Sequence, residues 1–148
     1  HASFITVGTP LDPNGNASLE QVKEVSKHIG EGLKRKQFYH LVVVKSTVRP
    51  GTTEGCIKKI IEAESGKRCG IDFGLCANPE FLREGSAIQD ILNPDRIIIG
   101  AVDKRSGDAL ENLYREVYDN QMPSLIRTNL VNAELIKLAS NAFLACQN

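Results

Sequence analysis

The sequence has no net charge and no long apolar run, and each of these absences excludes a class of protein. Its 18 basic and 18 acidic residues balance over 148 positions, so the chain lacks the basic surface that nucleic-acid binding requires. No apolar segment is long enough to cross a bilayer, and no signal-peptide pattern opens the chain. We therefore expect neither a nucleic-acid partner nor a membrane partner.

The sequence also lacks paired cysteines. Its four cysteines are scattered, with no CxxC pair and no histidine at metal-ligand spacing. This pattern predicts no metal site and indicates reduced thiols of a cytoplasmic protein, buried for the most part as small apolar side chains. The four are Cys56, Cys69, Cys76 and Cys146.

Strand-like and helix-like segments alternate along the chain. Residues 40–45 (HLVVVK) form an uninterrupted apolar run, typical of a strand covered on both faces. The alternation predicts right-handed crossovers and an α/β fold with a doubly wound, mostly parallel sheet. A domain boundary is expected where the last helix leaves the sheet, which gives domains at 1–128 and 129–148. The predicted strands are 4–7, 40–45, 71–77, 96–100 and 124–127, and the predicted helices are 18–36, 52–66, 106–118 and 131–148.

Polar residues follow three of the predicted strands. Gly8-Thr9-Pro10 comes after the first, Ser46-Thr47 after the second and Asn78-Pro79-Glu80 after the third. The carboxyl ends of parallel strands share one edge of a sheet, where open α/β folds bind their ligands. Taken singly, each group is equally typical of a turn or a helix cap. Together they could hold the ribose and pyrophosphate of a dinucleotide and position a water.

The segment 78–85 (NPEFLREG) is the most informative of the three. Pro79 biases the preceding residue away from helical geometry, so the strand ends there. Glu80 and Glu84 would share one face if Glu80 opened a helical turn. A plainer interpretation is that an acidic residue after an X-Pro step marks the start of a helix.

The predicted last helix carries two polar residues within an apolar pattern. Lys137 and Asn141 are four residues apart and therefore neighbours on one face. In one interpretation Glu134 and Lys137 form a surface pair and Asn141 is merely tolerated. In the other, a buried lysine beside a carboxamide stabilises a developing oxyanion. The sequence leaves both open.

These motifs, taken in order, resemble the nucleotide-sugar dehydrogenases of the UDP-glucose/GDP-mannose dehydrogenase family. The resemblance covers nearly the whole chain through GTP, KSTVRPGTT, NPEFLREGSAIQDILNPDRIIIG and AELIKLASNAFLA, and the long third block favours the UDP-glucose branch. It implies a Rossmann-like NAD-binding domain followed by the start of a long central helix. It also implies NAD-dependent, four-electron oxidation of the C6 alcohol of UDP-glucose to UDP-glucuronate, through a cysteine-linked thiohemiacetal and thioester.

The resemblance also implies catalytic roles for four residues. Glu80 matches the acid/base carboxylate of thioester hydrolysis, and Thr47 matches the hydroxyl that positions a catalytic water. Lys137 matches the cation that stabilises oxyanionic intermediates, and Asn141 matches the amide that holds the reacting oxygen or its water. These roles agree with the chemistry, because thioester hydrolysis needs an ordered water, a base and a fixed positive charge.

Further positions match the binding residues of the family. The residues implied to bind the nucleotide sugar are Glu80, Phe81, Leu82, Arg83, Glu84, Lys137 and Asn141. The residues implied to contact NAD are Gly8, Thr9, Pro10, Ser46, Thr47 and Glu84.

The resemblance sets further expectations for the intact protein. We expect the family's glycine-rich phosphate loop before residue 1 and its nucleophilic cysteine after residue 148, which would make this chain an internal piece that is inactive alone. A homodimer through the central helix is also implied. Two alternatives remain open: the same reaction on GDP-mannose or UDP-N-acetylmannosamine, and a non-catalytic module that binds a nucleotide sugar.

Overall fold

The computed structural model describes residues 2–83 and 85–147, whose strands form one five-stranded sheet. The strands follow chain order across the sheet. The first three are parallel to one another, the last two are parallel to each other, and the third and fourth are antiparallel. They are β1 (Ala2–Ile5), β2 (His40–Val44), β3 (Phe73–Ala77), β4 (Arg96–Ala101) and β5 (Ser124–Thr128).

The helices connect and cover these strands. The second helix begins with a π-helical turn at Thr53–Ile57, and a 3-10 turn at Asp119–Gln121 follows the fourth. None of the helices in the described part of the chain has the length and apolar character needed to span a membrane. The helices are α1 (Glu20–Lys34), α2 (Lys58–Ser65), α3 (Ala87–Leu92), α4 (Lys104–Tyr118) and α5 (Leu130–Gln147).

Helices cover both faces of the sheet, as predicted for a doubly wound fold. β2 and β3 are buried along their whole length, which explains their apolar sequences. On one face the core joins the strands to Val22 of α1, Ile61 of α2 and Ala133 of α5. On the other face, Leu110 of α4 packs with apolar side chains of β2 to β4.

β4 runs antiparallel to β3 because of the connection between the two strands. Ala77 pairs with Gly100, so the start of β4 extends beyond the end of β3. The described residues between β3 and β4, which include α3, stay at this edge of the sheet, and β4 therefore enters the sheet from there. The sequence did not indicate α3, because this six-residue helix buries none of its side chains.

Several predicted boundaries shift by a few residues. β1 covers Ala2–Ile5 instead of 4–7, and β3 starts at Phe73 instead of residue 71. α4 begins earlier than predicted because Asp103 caps it, its carboxylate accepting a hydrogen bond from the Ser106 N–H at 2.7 Å. The last helix starts at Leu130, close to the predicted position.

Gly100 allows α5 to lie close against the sheet. A Cβ atom at this position would approach the Ala133 Cβ to 2.6 Å and the Asn129 carbonyl oxygen to 2.7 Å. The glycine that ends the RIIIG strand is therefore required by packing. Through this contact one face of the first half of α5 is buried on the sheet, while residues 141–147 are exposed.

Candidate active site at one edge of the sheet

The loops after β1 and β2 are joined by side-chain hydrogen bonds. The Thr9 hydroxyl donates to the Thr47 carbonyl oxygen at 3.0 Å, and the Ser46 hydroxyl donates to the Val7 carbonyl oxygen at 2.6 Å. A Cβ atom added at Gly8 would meet the Gln21 Oε1 at 3.9 Å, an ordinary contact distance. The polar ends of these two strands thus meet at one edge, as the sequence predicted.

Asn78 fixes the end of β3 from a buried position. Its backbone N–H donates to the Val44 carbonyl oxygen, and its side-chain amide donates to the Ile98 carbonyl oxygen, both at 2.8 Å. Its Oδ1 accepts from the Lys45 ammonium at 3.1 Å and from the Tyr114 hydroxyl. The side chain, 1% exposed, therefore holds β2, β3, β4 and α4 together at the point where the Asn-Pro-Glu segment leaves the sheet.

A buried lysine and a carboxylate meet next to this strand end. The Lys137 Nζ lies 3.1 Å from the Glu80 Oε1, with the lysine side chain 8% exposed and the glutamate side chain 31% exposed. The ammonium also lies 5.3 Å from the centre of the Phe81 ring, at the range of a cation–π contact. The Arg96 guanidinium lies at the same distance from this ring. Phe81 is thus held by two cations.

The interpretation of Glu134 and Lys137 as a surface pair is wrong. Both side chains are buried, and the lysine pairs with Glu80 instead. The Glu134 carboxylate accepts hydrogen bonds from the Gly51 N–H at 2.5 Å and the Thr53 N–H at 2.8 Å. It therefore caps the helix after β2.

A second lysine, which the sequence analysis did not single out, faces the same carboxylate. The pKa of Lys45 is lowered, mainly because burial disfavours its charged form. The charge of Glu80 opposes this shift, and the charge of Lys137 adds to it. Lys45 directly follows the Val44–Ala77 pair of the sheet, so its position beside Asn78 could be inferred only once the strand register was known. Two cations around one carboxylate make this a site suited to anionic groups.

The segment after Glu80 is held in place by an ion pair. The Arg83 guanidinium lies 2.6 Å from the Asp90 carboxylate, which also accepts from the Arg83 backbone N–H at 2.8 Å. These hydrogen bonds hold the pKa of Asp90 well below its usual range. The neighbouring Glu84, predicted to contact both substrate and NAD, lies outside the described residues.

A cleft of about 640 Å³ opens between this segment and α5. It brings together six of the predicted site residues, namely Glu80, Phe81, Leu82, Arg83, Lys137 and Asn141, and adds Lys45, Arg96 and Tyr114 to them. The loop residues Ser46 and Thr47 instead line a much smaller cavity behind Lys137. Gly8, Thr9 and Pro10 lie at the neighbouring strand end, outside both.

Comparison with known proteins identifies the family. The sequence profile described as the UDP-glucose/GDP-mannose dehydrogenase family, NAD binding domain, matches residues 1–118. The chain belongs to this family. Its cofactor is accordingly NAD.

Members of the family with different substrates are similar to this chain. GDP-mannose 6-dehydrogenase of Pseudomonas aeruginosa is 44% identical over 145 residues, which cover 98% of this chain and 32% of that protein. The crystal structure of a ternary complex of the GDP-mannose dehydrogenase from that organism superposes with a TM-score of 0.92 at 44% identity, covering 99% of this chain and 33% of the other.

UDP-glucose dehydrogenases are about as similar. The structure of the enzyme from Pyrobaculum islandicum has a TM-score of 0.87 at 46% identity, covering 97% of this chain and 32% of that one. This chain thus spans about a third of the length of the relatives it matches.

The edge of the sheet fits the NAD of the family. A dinucleotide needs close backbone approach at the carboxyl ends of parallel strands, and the exposed Gly8, next to the partly exposed Thr9 and Ser46, leaves room for it. No group of three or more histidine, cysteine or acidic residues that could hold a metal ion occurs among the described residues.

None of the four cysteines lines the cleft. Burial raises the pKa of Cys69 to about 11 and that of Cys76 to about 12, so both are thiols at neutral pH. Cys56 and Cys146 are also unpaired, and neither lines the cleft.

Proposed function

We propose that the intact protein oxidises the C6 alcohol of a nucleotide-linked hexose to a carboxylate with NAD. The observation that carries the proposal is the Lys137–Glu80 pair, held at 3.1 Å in the cleft of an NAD-binding domain. Oxidation of an alcohol to an acid passes through oxyanionic species and ends with attack by water. A buried cation and an adjacent carboxylate meet these two needs.

Within this proposal, each residue of the cleft has a task. NAD supplies the hydride acceptor. Lys137 presents a fixed positive charge to the developing oxyanion, while Asn141, one turn further along α5, holds the reacting oxygen or its water. Glu80 takes a proton from the water that attacks the thioester formed with a cysteine elsewhere in the intact protein, the C–S bond breaks to release that cysteine thiolate, and the Thr47 hydroxyl orients the water. Water still reaches Glu80, because its side chain is 31% exposed.

The remaining predicted residues bind the two ligands. We assign Phe81, Leu82 and Arg83, with Glu84, to the segment that wraps the nucleotide sugar. Gly8, Thr9, Pro10, Ser46, Thr47 and Glu84 are assigned to NAD. Supporting this division, the first group lines the cleft and the second lies at the ends of β1 and β2, Glu84 excepted.

We favour UDP-glucose as the substrate because of the NPEFLREG…NPDRIIIG block, and the alternative is GDP-mannose. The alternative draws support from the GDP-mannose dehydrogenase of Pseudomonas aeruginosa, which has the TM-score of 0.92. The two sugars differ at C2 and the two nucleotides differ in the base. None of the contacts described above is assigned to C2 of the sugar or to the base of the nucleotide. The substrate must therefore be identified by comparing the candidates experimentally.

The experiment is NADH formation by the full-length protein with UDP-glucose, GDP-mannose and UDP-N-acetylmannosamine in parallel. We expect two NADH per sugar oxidised, and the highest kcat/KM with UDP-glucose. Preference for another of the three nucleotide sugars would change the assigned substrate but would still support the proposed reaction. Binding of a nucleotide sugar without NADH formation would instead support a non-catalytic module and refute the enzyme.

We further propose that the intact protein is a cytoplasmic homodimer. The cytoplasm is supported by four cysteines that form no disulfide. The dimer is supported by exposed apolar side chains along α5, including Leu135 at 51% and Phe143 at 63% exposure.

A further inference from the structure

A small cavity lies between Lys137 and the start of the helix after β2. Its volume is about 10 Å³, which corresponds to the space that the centre of one water molecule can occupy. Five of its lining residues carry polar side chains, namely Ser46, Thr47, Thr53, Glu134 and Lys137. The cavity is therefore both roomy enough and polar enough for one water.

Thr53 supplies a hydroxyl that needs a partner in this cavity. The residue is fully buried, and its Oγ1 is the buried side-chain polar atom without a hydrogen-bond partner among the residues that the structure describes. Native proteins almost always give such a group a partner, either in the protein or in an ordered water. Because Thr53 lines the cavity, a water there would satisfy it.

Two charged neighbours can form the remaining hydrogen bonds of this water. The Lys137 ammonium carries three N–H groups, and its ion pair with Glu80 uses one of them. Each oxygen of the Glu134 carboxylate accepts one backbone N–H and retains a further lone pair. One water can thus accept from Lys137, donate to Glu134 and share a hydrogen bond with Thr53.

We propose that the cavity holds one ordered water joining Lys137 to Glu134 and Thr53, and that these two residues act through it as positioning residues for Lys137. Glu134 is anchored on the N–H groups of residues 51 and 53, and the loop of Thr47 leads into the same helix. The water would therefore fix the lysine relative to the Thr47 loop. The predicted effect on turnover rests on the proposed function, whereas the predicted presence of the water does not.

The direct test is a high-resolution crystal structure of the full-length protein. We expect density for one water within about 3.2 Å of both the Thr53 Oγ1 and the Lys137 Nζ. A well-ordered but dry cavity would overturn the proposal. This result can be read whether or not the protein turns over a nucleotide sugar.

The kinetic test uses Thr53→Val, which keeps the shape of the side chain and removes the hydroxyl. We expect the turnover number to fall by up to about ten-fold, the upper end of the typical effect of a neutral hydrogen bond, with the KM for NAD unchanged. Thr53→Ser should restore most of the turnover. Thr52→Val is the matched control, because Thr52 is 7% exposed and does not line the cavity.

The outcomes of the two tests separate the two proposals. Equal turnover of Thr53→Val and Thr52→Val would refute the positioning role. A wild-type protein without dehydrogenase activity would refute the proposed function, while the crystal structure would still decide whether the water is present. If Thr53→Val fails to fold, as judged by its melting temperature, the crystal structure of the wild type and the Thr53→Ser kinetics decide.

Discussion

Replacing Lys137 by alanine in the full-length protein tests the role of the buried cation. Loss of one group that stabilises an oxyanion lowers kcat by about 100- to 1,000-fold, or about 2.7–4 kcal/mol of transition-state stabilisation. The site should make Lys137 a strong contributor, since its side chain is 8% exposed and its charge is little screened by water. We expect kcat to fall in this range and the affinity for NAD to stay nearly unchanged, because the charge acts on species that exist only during the reaction.

The same substitution has a smaller effect on stability. Glu80 loses its partner, but its side chain is 31% exposed, so water can solvate the carboxylate. We expect the unfolding free energy to fall by about 1–3 kcal/mol, as for the loss of a hydrogen bond to a charged group. The protein should thus remain folded at the assay temperature, which circular dichroism and a melting curve would verify.

Steady-state NADH formation and NAD titration are the assays for Lys137→Ala. The matched control is Lys104→Ala, because Lys104 lies on α4 with its side chain 87% exposed. It should behave as the wild type. Wild-type turnover in a folded Lys137→Ala protein would refute the assignment of this lysine to the reaction.

Three further predictions concern packing, pH and assembly. Gly100→Val should destabilise the protein by about 1–3 kcal/mol, since its side chain would collide with α5, whereas Gly32→Ala, at an open position, should not lower the melting temperature. Burial and the Lys36 ammonium lower the pKa of His40 to about 4, below its usual 6.5, so the unfolded chain binds the extra proton first. His40 should therefore lower the free energy of unfolding as the pH falls from 6.5 towards 4. His40→Gln should flatten that part of the curve of unfolding free energy against pH, and an unchanged curve would contradict this prediction. Leu135→Glu should shift full-length protein from dimer to monomer in sedimentation velocity, whereas an equally dimeric variant would exclude this face of α5 from the interface.

The order of the strands and larger helices could be predicted from sequence because their signals are local. Residues 40–44 are apolar on both faces, and the structure buries both. The direction of β4 could not be predicted, since the sequence RIIIG suits a parallel and an antiparallel strand equally. That direction depends on the described residues between β3 and β4 remaining at one edge, and the short helix α3 among them has no buried face to create a periodic signal.

The sequence predicted which strand ends form the site, but not which side chains contact one another there. The Asn-Pro step indicated where β3 ends, yet not that Asn78 would bond to Ile98 and Tyr114 across the sheet. On a helix, Glu134 is the obvious partner of Lys137, three residues away. Only the tertiary packing of α5 sends the glutamate to the start of another helix and the lysine to Glu80.

The most direct test of the central claim is mass spectrometry of the full-length Glu80→Gln protein incubated with UDP-glucose and NAD. Glutamine keeps the size of the side chain but cannot take a proton from the attacking water. If Glu80 serves thioester hydrolysis beside Lys137, a covalent adduct of protein and sugar nucleotide should accumulate and NADH formation should stop after a burst. An unmodified protein with wild-type turnover would contradict the account.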